Sequence, residues 1–166
     1  MAPIRTIRIG DKILEIFIDS DSDPRTTMDN LTKIWCSSSC NWILSDIDFR
    51  STFTVSEIEE KISKLNPFYV APLFFNEDFE ELTTISKDGF DHVGFIFIED
   101  EIENAKEVVK LELDQYNLHL SGRVYSYRLS QDLDSCGGFF GEDIEENGMS
   151  DCLPKEFVEK LIKTGI

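Results

Sequence analysis

Lysine and arginine are scarce in this sequence. Its 166 residues include 16 basic side chains against 33 acidic ones, which leaves a formal net charge of −17. Proteins bind phosphate backbones largely through Lys and Arg, so direct binding of nucleic acid or of an anionic membrane is disfavoured. An acidic excess can serve solubility alone, or it can steer the protein toward a basic surface on a partner. The composition leaves both interpretations open.

Long apolar runs and C-x2-C cysteine pairs are also missing; the tightest spacing is the C-x3-C of Cys36 and Cys40. The first 19 residues alternate apolar and polar side chains and lack the apolar core of a signal peptide or membrane span. We therefore expect a cytoplasmic protein with no membrane partner, in which the cysteines are reduced. Structural zinc sites usually contain a C-x2-C pair, which is absent here, so we expect no metal and no cofactor. Buried free thiols are the favoured interpretation of the four cysteines, Cys36, Cys40, Cys136 and Cys152.

Histidine is limited to His92 and His119, and neither lies in a recognisable serine or cysteine motif. The glycines of Gly137–Gly141 form neither a G-x-G-x-x-G fingerprint nor a P-loop. Catalytic partners meet in space rather than along the chain. A thiol- or metal-dependent hydrolase that uses Cys136, His92 and nearby acids therefore stays open as an alternative.

Three aspartates at alternate positions, Asp19, Asp21 and Asp23, resemble the first ligands of an EF-hand loop. The sixth position of that loop needs glycine and is Pro24, and the twelfth needs glutamate and is Asn30. The segment is therefore interpreted as a solvated acidic turn rather than a calcium site.

The hydrophobic pattern predicts an α+β fold. Apolar runs on both sides of Gly10 predict a β-hairpin, and a capping box at Thr54 or Ser56 predicts a helix. From Leu111 to Leu129 the pattern predicts a second hairpin, broken at Gly122. The other predicted elements are a short helix at 30–35, strands at 68–75 and 91–99, a helix after residue 101 and a terminal helix behind Pro154. We expect a single domain over residues 1–166, in which two to three helices pack on a largely antiparallel sheet.

The segment from Ser130 to Asp143, SQDLDSCGGFFGED, is the most unusual part of the chain. No Lys or Arg occurs between residues 129 and 154. The glycines predict a tight turn that leaves a strand, with glycine residues at positive φ. We expect Phe139 or Phe140 to lie in the core, and a phenylalanine that is exposed could anchor a partner. The candidate partner-binding residues are Asp132, Asp134, Phe139, Phe140, Glu142, Asp143, Glu145 and Glu146.

Two further acidic groups, at residues 77–81 and 99–103, accompany the acids of residues 132–151. If the three groups share a face, they form an array of carboxylates comparable to the phosphates of one DNA strand, which repeat every ~3.4 Å. Such a surface would compete with nucleic acid for a basic channel. A set of unrelated solvated loops is the alternative.

Four local motifs resemble a family of small acidic proteins carried by phages and conjugative elements. They are P-R-x-x-x-D-N-L at residues 24–31, H-V-G-F-I-F at 92–97, L-S-G-x-V-Y-x-Y at 120–127 and D-S-C-G-G-F-F-G at 134–141. The family commonly has tryptophan where this chain has Met28 and Gly137. The resemblance covers roughly residues 19–146 and implies a mobile-element setting, in which acidic proteins often block host defence nucleases by occupying their nucleic-acid surfaces.

These observations favour a non-enzymatic inhibitor, most specifically an anti-CRISPR protein that binds the basic nucleic-acid channel of an RNA-guided nuclease. The nearest alternative is an anti-restriction DNA mimic that binds a restriction enzyme. The hydrolase described above and a phage accessory protein with merely solubilising acidity are the others. The sequence indicates no oligomeric state.

Overall fold

The computed structural model describes residues 2–37, 45–46, 53–130 and 134–166. Within these ranges the chain divides into two compact units, one formed by residues 1–26 with 118–166 and the other by residues 27–117. We call them the first and the second unit. The elements in chain order are β1 (Arg5–Ile9), β2 (Lys12–Ile18), α1 (Pro24–Thr27), β3 (Lys33–Cys36), α2 (Val55–Leu65), β4 (Tyr69–Asn76), β5 (Glu81–Thr83), β6 (Asp91–Ile98), α3 (Ala105–Leu120), β7 (Val124–Leu129), β8 (Asp134–Phe140), α4 (Met149–Cys152) and α5 (Lys155–Thr164).

The first unit contains an antiparallel sheet in the order β1-β2-β7-β8. The predicted hairpin at residues 4–18 is confirmed as β1 and β2, with Gly10 in the turn at a φ of 61°. One face of the sheet is covered by the C-terminal segment, including the predicted terminal helix α5, which buries Phe157 and Leu161. The core that results consists of Ile7, Leu14, Ile16, Tyr125, Tyr127, Leu129, Phe139, Ile144, Met149, Leu153, Phe157 and Leu161.

The second unit contains an antiparallel sheet in the order β3-β6-β4-β5. Helix α2 begins as predicted, because the Thr54 hydroxyl accepts a hydrogen bond from the Glu57 backbone and the Glu57 carboxylate accepts one from the Thr54 backbone. The helix buries Ile58 and Ile62 against Phe95 and Phe97 of the central strand β6. The α+β class with antiparallel pairing is thus confirmed, and the strands form two sheets. Helices α2, α3 and α5 are the three that exceed one turn in the described residues.

The prediction of a hairpin over residues 111–129 is wrong, because helix α3 continues to Leu120. Val109, Leu113 and Tyr116 recur at helical spacing and are buried, whereas Leu111 is 64% exposed. Gly122 ends the helix instead of turning a hairpin: its N–H donates to the His119 carbonyl at 3.0 Å, and its φ is 68°. This is the Schellman arrangement that glycine favours after a helix.

The short helix predicted at residues 30–35 is also wrong. Strand β3 starts at Lys33, and its partner is the central strand β6, with Trp35 opposite Phe95. Pairing with an existing buried strand satisfies the backbone of this β-branched and aromatic segment better than an isolated helical turn would. The one helical turn of this region lies earlier, in α1.

Candidate functional site

The candidate site lies in the first unit, on the edge strand β8 and the turn that follows it. The backbone of β8 is fixed by Asp19, which directly follows β2. The Asp19 carboxylate accepts hydrogen bonds from the Gly138 N–H at 2.9 Å, from the Ser22 hydroxyl at 2.8 Å, and from the backbone N–H groups of Asp21 and Ser22 at 3.2 Å. One carboxylate therefore orders its own loop and joins it to β8.

The two glycines of β8 make this contact possible. The pairing of β7 with β8 shifts register between Tyr125 and Tyr127, so an additional residue is accommodated opposite Ser126. Gly138 has a φ of 79°, and a Cβ atom on Gly137 would lie 2.4 Å from the Asp19 Oδ2 atom. The predicted positive φ is thus confirmed for Gly138. Position 137 requires glycine for a different reason, because the Asp19 carboxylate occupies the space of a Cβ atom.

The two phenylalanines of the motif have different environments. Phe139 is only 6% exposed and its ring stacks on Tyr127 with 5.9 Å between ring centroids. Its inclusion among the partner-binding residues is therefore corrected: the ring belongs to the core and offers no surface to a partner. Phe140 is half-buried and ends the strand.

The acids after β8 form an exposed turn. Asp143 folds the turn locally, because its Oδ1 atom accepts hydrogen bonds from the backbone N–H groups of Glu145 at 2.9 Å and Glu146 at 3.2 Å. Ile144 points into the core and anchors the turn. Glu142, Glu145 and Glu146 remain exposed. We call residues 142–146 the acidic turn.

Asp134 and Asp132 differ from the acids of the turn. Asp134 opens β8, and its Oδ2 atom accepts a hydrogen bond from the Tyr127 hydroxyl at 3.0 Å, so part of its hydrogen-bonding capacity is used inside the protein. Asp132 lies outside the described residues. The structure therefore brings Glu142, Asp143, Glu145 and Glu146 together in one turn, with Asp134 at the other end of the same strand.

A cluster that the sequence did not predict surrounds Tyr127. The Tyr127 hydroxyl oxygen also lies 3.3 Å from the Cys152 carbonyl oxygen, and Cys136 lies directly opposite Tyr127 in the β7–β8 pairing. Burial, the hydrogen bond to Asp134 and the charge of that carboxylate raise the pKa of Tyr127 far above its usual value. Burial, followed by the influence of Cys136 and of Asp151, raises the pKa of the Cys152 thiol. No spacing rule connects these residues, because they come from two strands and a helix.

The expectation of buried thiols is confirmed for Cys36 and wrong for Cys136 and Cys152, which are exposed. Cys136 lies on an edge strand and Cys152 at the end of a single helical turn, so neither reaches the centre of a core. Cys40 lies outside the described residues.

Cys136 and His92, the two residues of the hydrolase alternative, belong to different units. His92 belongs to the second unit, where its Nε2 atom lies 3.0 Å from the Gly94 carbonyl and its ring packs between Phe74 and Phe95. Cys136 belongs to the first unit. The described residues contain no group of three or more His, Cys, Asp or Glu side chains that could hold a metal ion.

The other two acidic groups belong to the second unit. Residues 77–80 form the turn between β4 and β5, and Glu81, the first residue of β5, forms an ion pair with Lys87 at 3.1 Å. Residues 99–103 follow β6, and Glu99 forms an ion pair with Lys33. Asp100, Glu101 and Glu103 are exposed. Part of the acidity in these groups is thus neutralised by nearby lysines.

An open groove of about 400 Å³ lies beside β8 in the first unit. Phe17, Asp19, Arg128 and Ser135 line it, and the Arg128 guanidinium stands 5.5 Å from the centre of the Phe17 ring. This groove could not be predicted from the sequence, because its lining comes from three strands and a loop. In the part of the chain that the structure describes, no helix is both long and apolar enough to cross a membrane.

Comparison with known proteins gave no relative: no protein-family model, no curated protein and no solved structure matches this chain.

Proposed function

We propose that this protein inhibits a nuclease of a host defence system by placing its acidic turn in the channel that normally holds nucleic acid. The preferred target is an RNA-guided nuclease, whose heteroduplex lies in a positively charged channel. The proposed setting is the cytoplasm of a cell that carries a phage or conjugative element.

The acidic turn is the observation that carries this proposal. Glu142, Asp143, Glu145 and Glu146 are exposed within five consecutive positions, and residues 129–154 contain no Lys or Arg. The backbone of the turn is held by the buried Ile144 side chain and by the Asp143 carboxylate. A turn whose backbone is already held loses little backbone conformational entropy on binding, which favours affinity for a basic surface.

The proposal predicts binding that depends on salt and competes with nucleic acid. Long-range attraction between opposite charges weakens as the Debye length falls from ~10 Å at 0.1 M salt to ~3 Å at 1 M. Capture of a nuclease by the tagged chain should therefore be strong at low salt, weak at high salt, and absent when guide or DNA already fills the channel.

The decisive experiment compares two charge reversals that alter the net charge equally. The first variant carries Glu142→Lys, Glu145→Lys and Glu146→Lys in the acidic turn. The control carries Asp100→Lys, Glu101→Lys and Glu103→Lys, which are exposed in the second unit. Each is tested against RNA-guided nucleases and restriction enzymes, with and without their nucleic acid.

We expect the acidic-turn variant to bind at least about tenfold more weakly and the control to bind like the native chain. Equal weakening of both variants would show that only net charge matters and would overturn the role of the turn. Capture of a restriction enzyme alone would favour the DNA-mimic alternative. Capture of no nuclease at any salt concentration would reject the proposed function.

A further inference from the structure

Two exposed cysteines of the first unit adjoin the same tyrosine, Tyr127, and have no role in the proposed inhibition. Cys136 is on β8, directly opposite Tyr127 of β7, and the Tyr127 hydroxyl lies 3.3 Å from the Cys152 carbonyl oxygen. Residues directly opposite each other in a sheet point their side chains to the same face. Tyr127 therefore contacts both segments, and Cys136 and Cys152 adjoin the same tyrosine side chain.

We propose that Cys136 and Cys152 form a reversible intramolecular disulfide, with a small disulfide such as oxidised glutathione as the electron acceptor. The bond joins the edge strand β8 to helix α4 and closes a loop that carries the acidic turn. Disulfides are uncommon among structural elements of cytoplasmic proteins and are usually transient there. This inference does not rest on the proposed nuclease target.

The chemistry proceeds by two thiol–disulfide exchanges. The Cys136 thiolate attacks one sulfur of oxidised glutathione, which forms a mixed disulfide and releases one glutathione thiolate. The Cys152 thiolate then attacks the Cys136 sulfur and releases the second glutathione. Two electrons pass from the cysteine thiols to the glutathione disulfide, and each released thiolate takes up a proton.

The surroundings of the pair affect its rate. Partial desolvation and the neighbouring Cys136, Asp151 and Asp134 raise the pKa of Cys152, so its thiol is mostly protonated at neutral pH. The second exchange should therefore accelerate as pH rises. Because both thiols are exposed, a small disulfide can reach them in the folded protein, whereas Cys36 is buried.

The first experiment treats the native folded chain with oxidised glutathione at mildly alkaline pH, blocks the remaining thiols and identifies modified peptides by mass spectrometry. We expect one linked peptide pair that joins Cys136 to Cys152 and has lost two hydrogen atoms. The Cys152→Ser variant should instead retain one glutathione on Cys136. A Cys40→Ser control should form the linked pair like the native chain.

The second measurement compares urea unfolding of the oxidised and reduced chains. A disulfide that closes a loop of about 15 residues should raise the ratio of folded to unfolded molecules about 100-fold, and the Cys152→Ser variant should show no such change. The proposal is overturned if Cys136 and Cys152 each carry a separate glutathione, if both stay available to the blocking reagent, or if the linked pair forms only in the unfolded chain.

Discussion

The contact between Asp19 and Gly137 predicts a strong energetic coupling between two residues far apart in sequence. In the native chain the Asp19 Oδ2 atom accepts hydrogen bonds from Gly138 and Ser22, and it occupies the space that a Cβ atom on residue 137 would need. The Gly137→Ala substitution must therefore displace a carboxylate that is held by hydrogen bonds. We expect it to lower the free energy of unfolding by about 1–3 kcal/mol.

The Asp19→Ala substitution should have a cost of similar size for a different reason. It removes the acceptor of four hydrogen bonds, two of them to backbone N–H groups of its own loop and one to Gly138. Each such bond contributes about 0.5–1.5 kcal/mol net, but water replaces the acceptor in this half-exposed position. We expect a total loss of about 2 kcal/mol.

The double variant distinguishes coupling from two independent defects. Once Asp19 is alanine, the nearest atom to a Cβ on residue 137 is the Ser126 Cβ at 3.3 Å, a tight contact that a shift of a few tenths of an ångström relieves, so the methyl group should cost much less than in the native chain. The double variant should then be only slightly less stable than Asp19→Ala alone, a coupling of at least about 1 kcal/mol. Urea unfolding followed by circular dichroism measures it, with hydrogen exchange of peptide 134–140 as the local readout.

Asp21→Ala provides the matched control, since it removes the same charge from the same loop. The Asp21 side chain is exposed, and only its backbone N–H bonds to Asp19. Combined with Gly137→Ala it should give additive effects. If Asp19→Ala and Gly137→Ala were also additive within about 0.5 kcal/mol, the close approach described for β8 would be refuted.

Three other predictions concern single side chains. Asn117 bonds the backbone N–H and carbonyl of Leu82 at 2.7 and 2.9 Å, so Asn117→Leu should lower the free energy of urea unfolding by about 1–3 kcal/mol; an unchanged value would contradict this. The pKa of Tyr127 is raised in the folded state, so the stability that this side chain contributes is complete below about pH 10 and declines at higher pH. Tyr127→Phe should therefore reduce the loss of unfolding free energy with pH in alkaline unfolding curves. Hydrogen bonds from the backbone N–H of Thr54 and then from its hydroxyl lower the pKa of Glu57. Thr54→Ala removes only the hydroxyl, so the pKa should rise part of the way in an NMR titration, and an identical titration in both proteins would exclude the hydroxyl contact.

Sequence patterns predicted correctly those elements that are determined by residues close together along the chain. The turn at Gly10 and the capping box at Thr54 each involve residues close in sequence, and the structure confirms both. The segment 111–120 resembles a strand in sequence because Leu111 and Leu113 alternate with acids. The buried positions Val109, Leu113 and Tyr116 repeat with helical period, and this wider pattern determines the fold.

The candidate site was only partly predictable for a related reason. The acids of residues 142–146 are adjacent in sequence, so their grouping could be anticipated. The Tyr127 cluster and the Asp19 contact join residues that are distant along the chain, and antiparallel pairing of β7 with β8 creates both. A pattern search within one segment cannot find such pairs.

Position 137 illustrates how such a contact constrains the sequence. Any side chain there would begin with a Cβ atom 2.4 Å from the Asp19 Oδ2 atom. A variant with a larger residue at this position therefore cannot hold the loop at residues 19–22 as the native chain does. The groove lined by Phe17, Asp19 and Arg128 lies beside the same contact, so its shape should change in any variant that fills position 137.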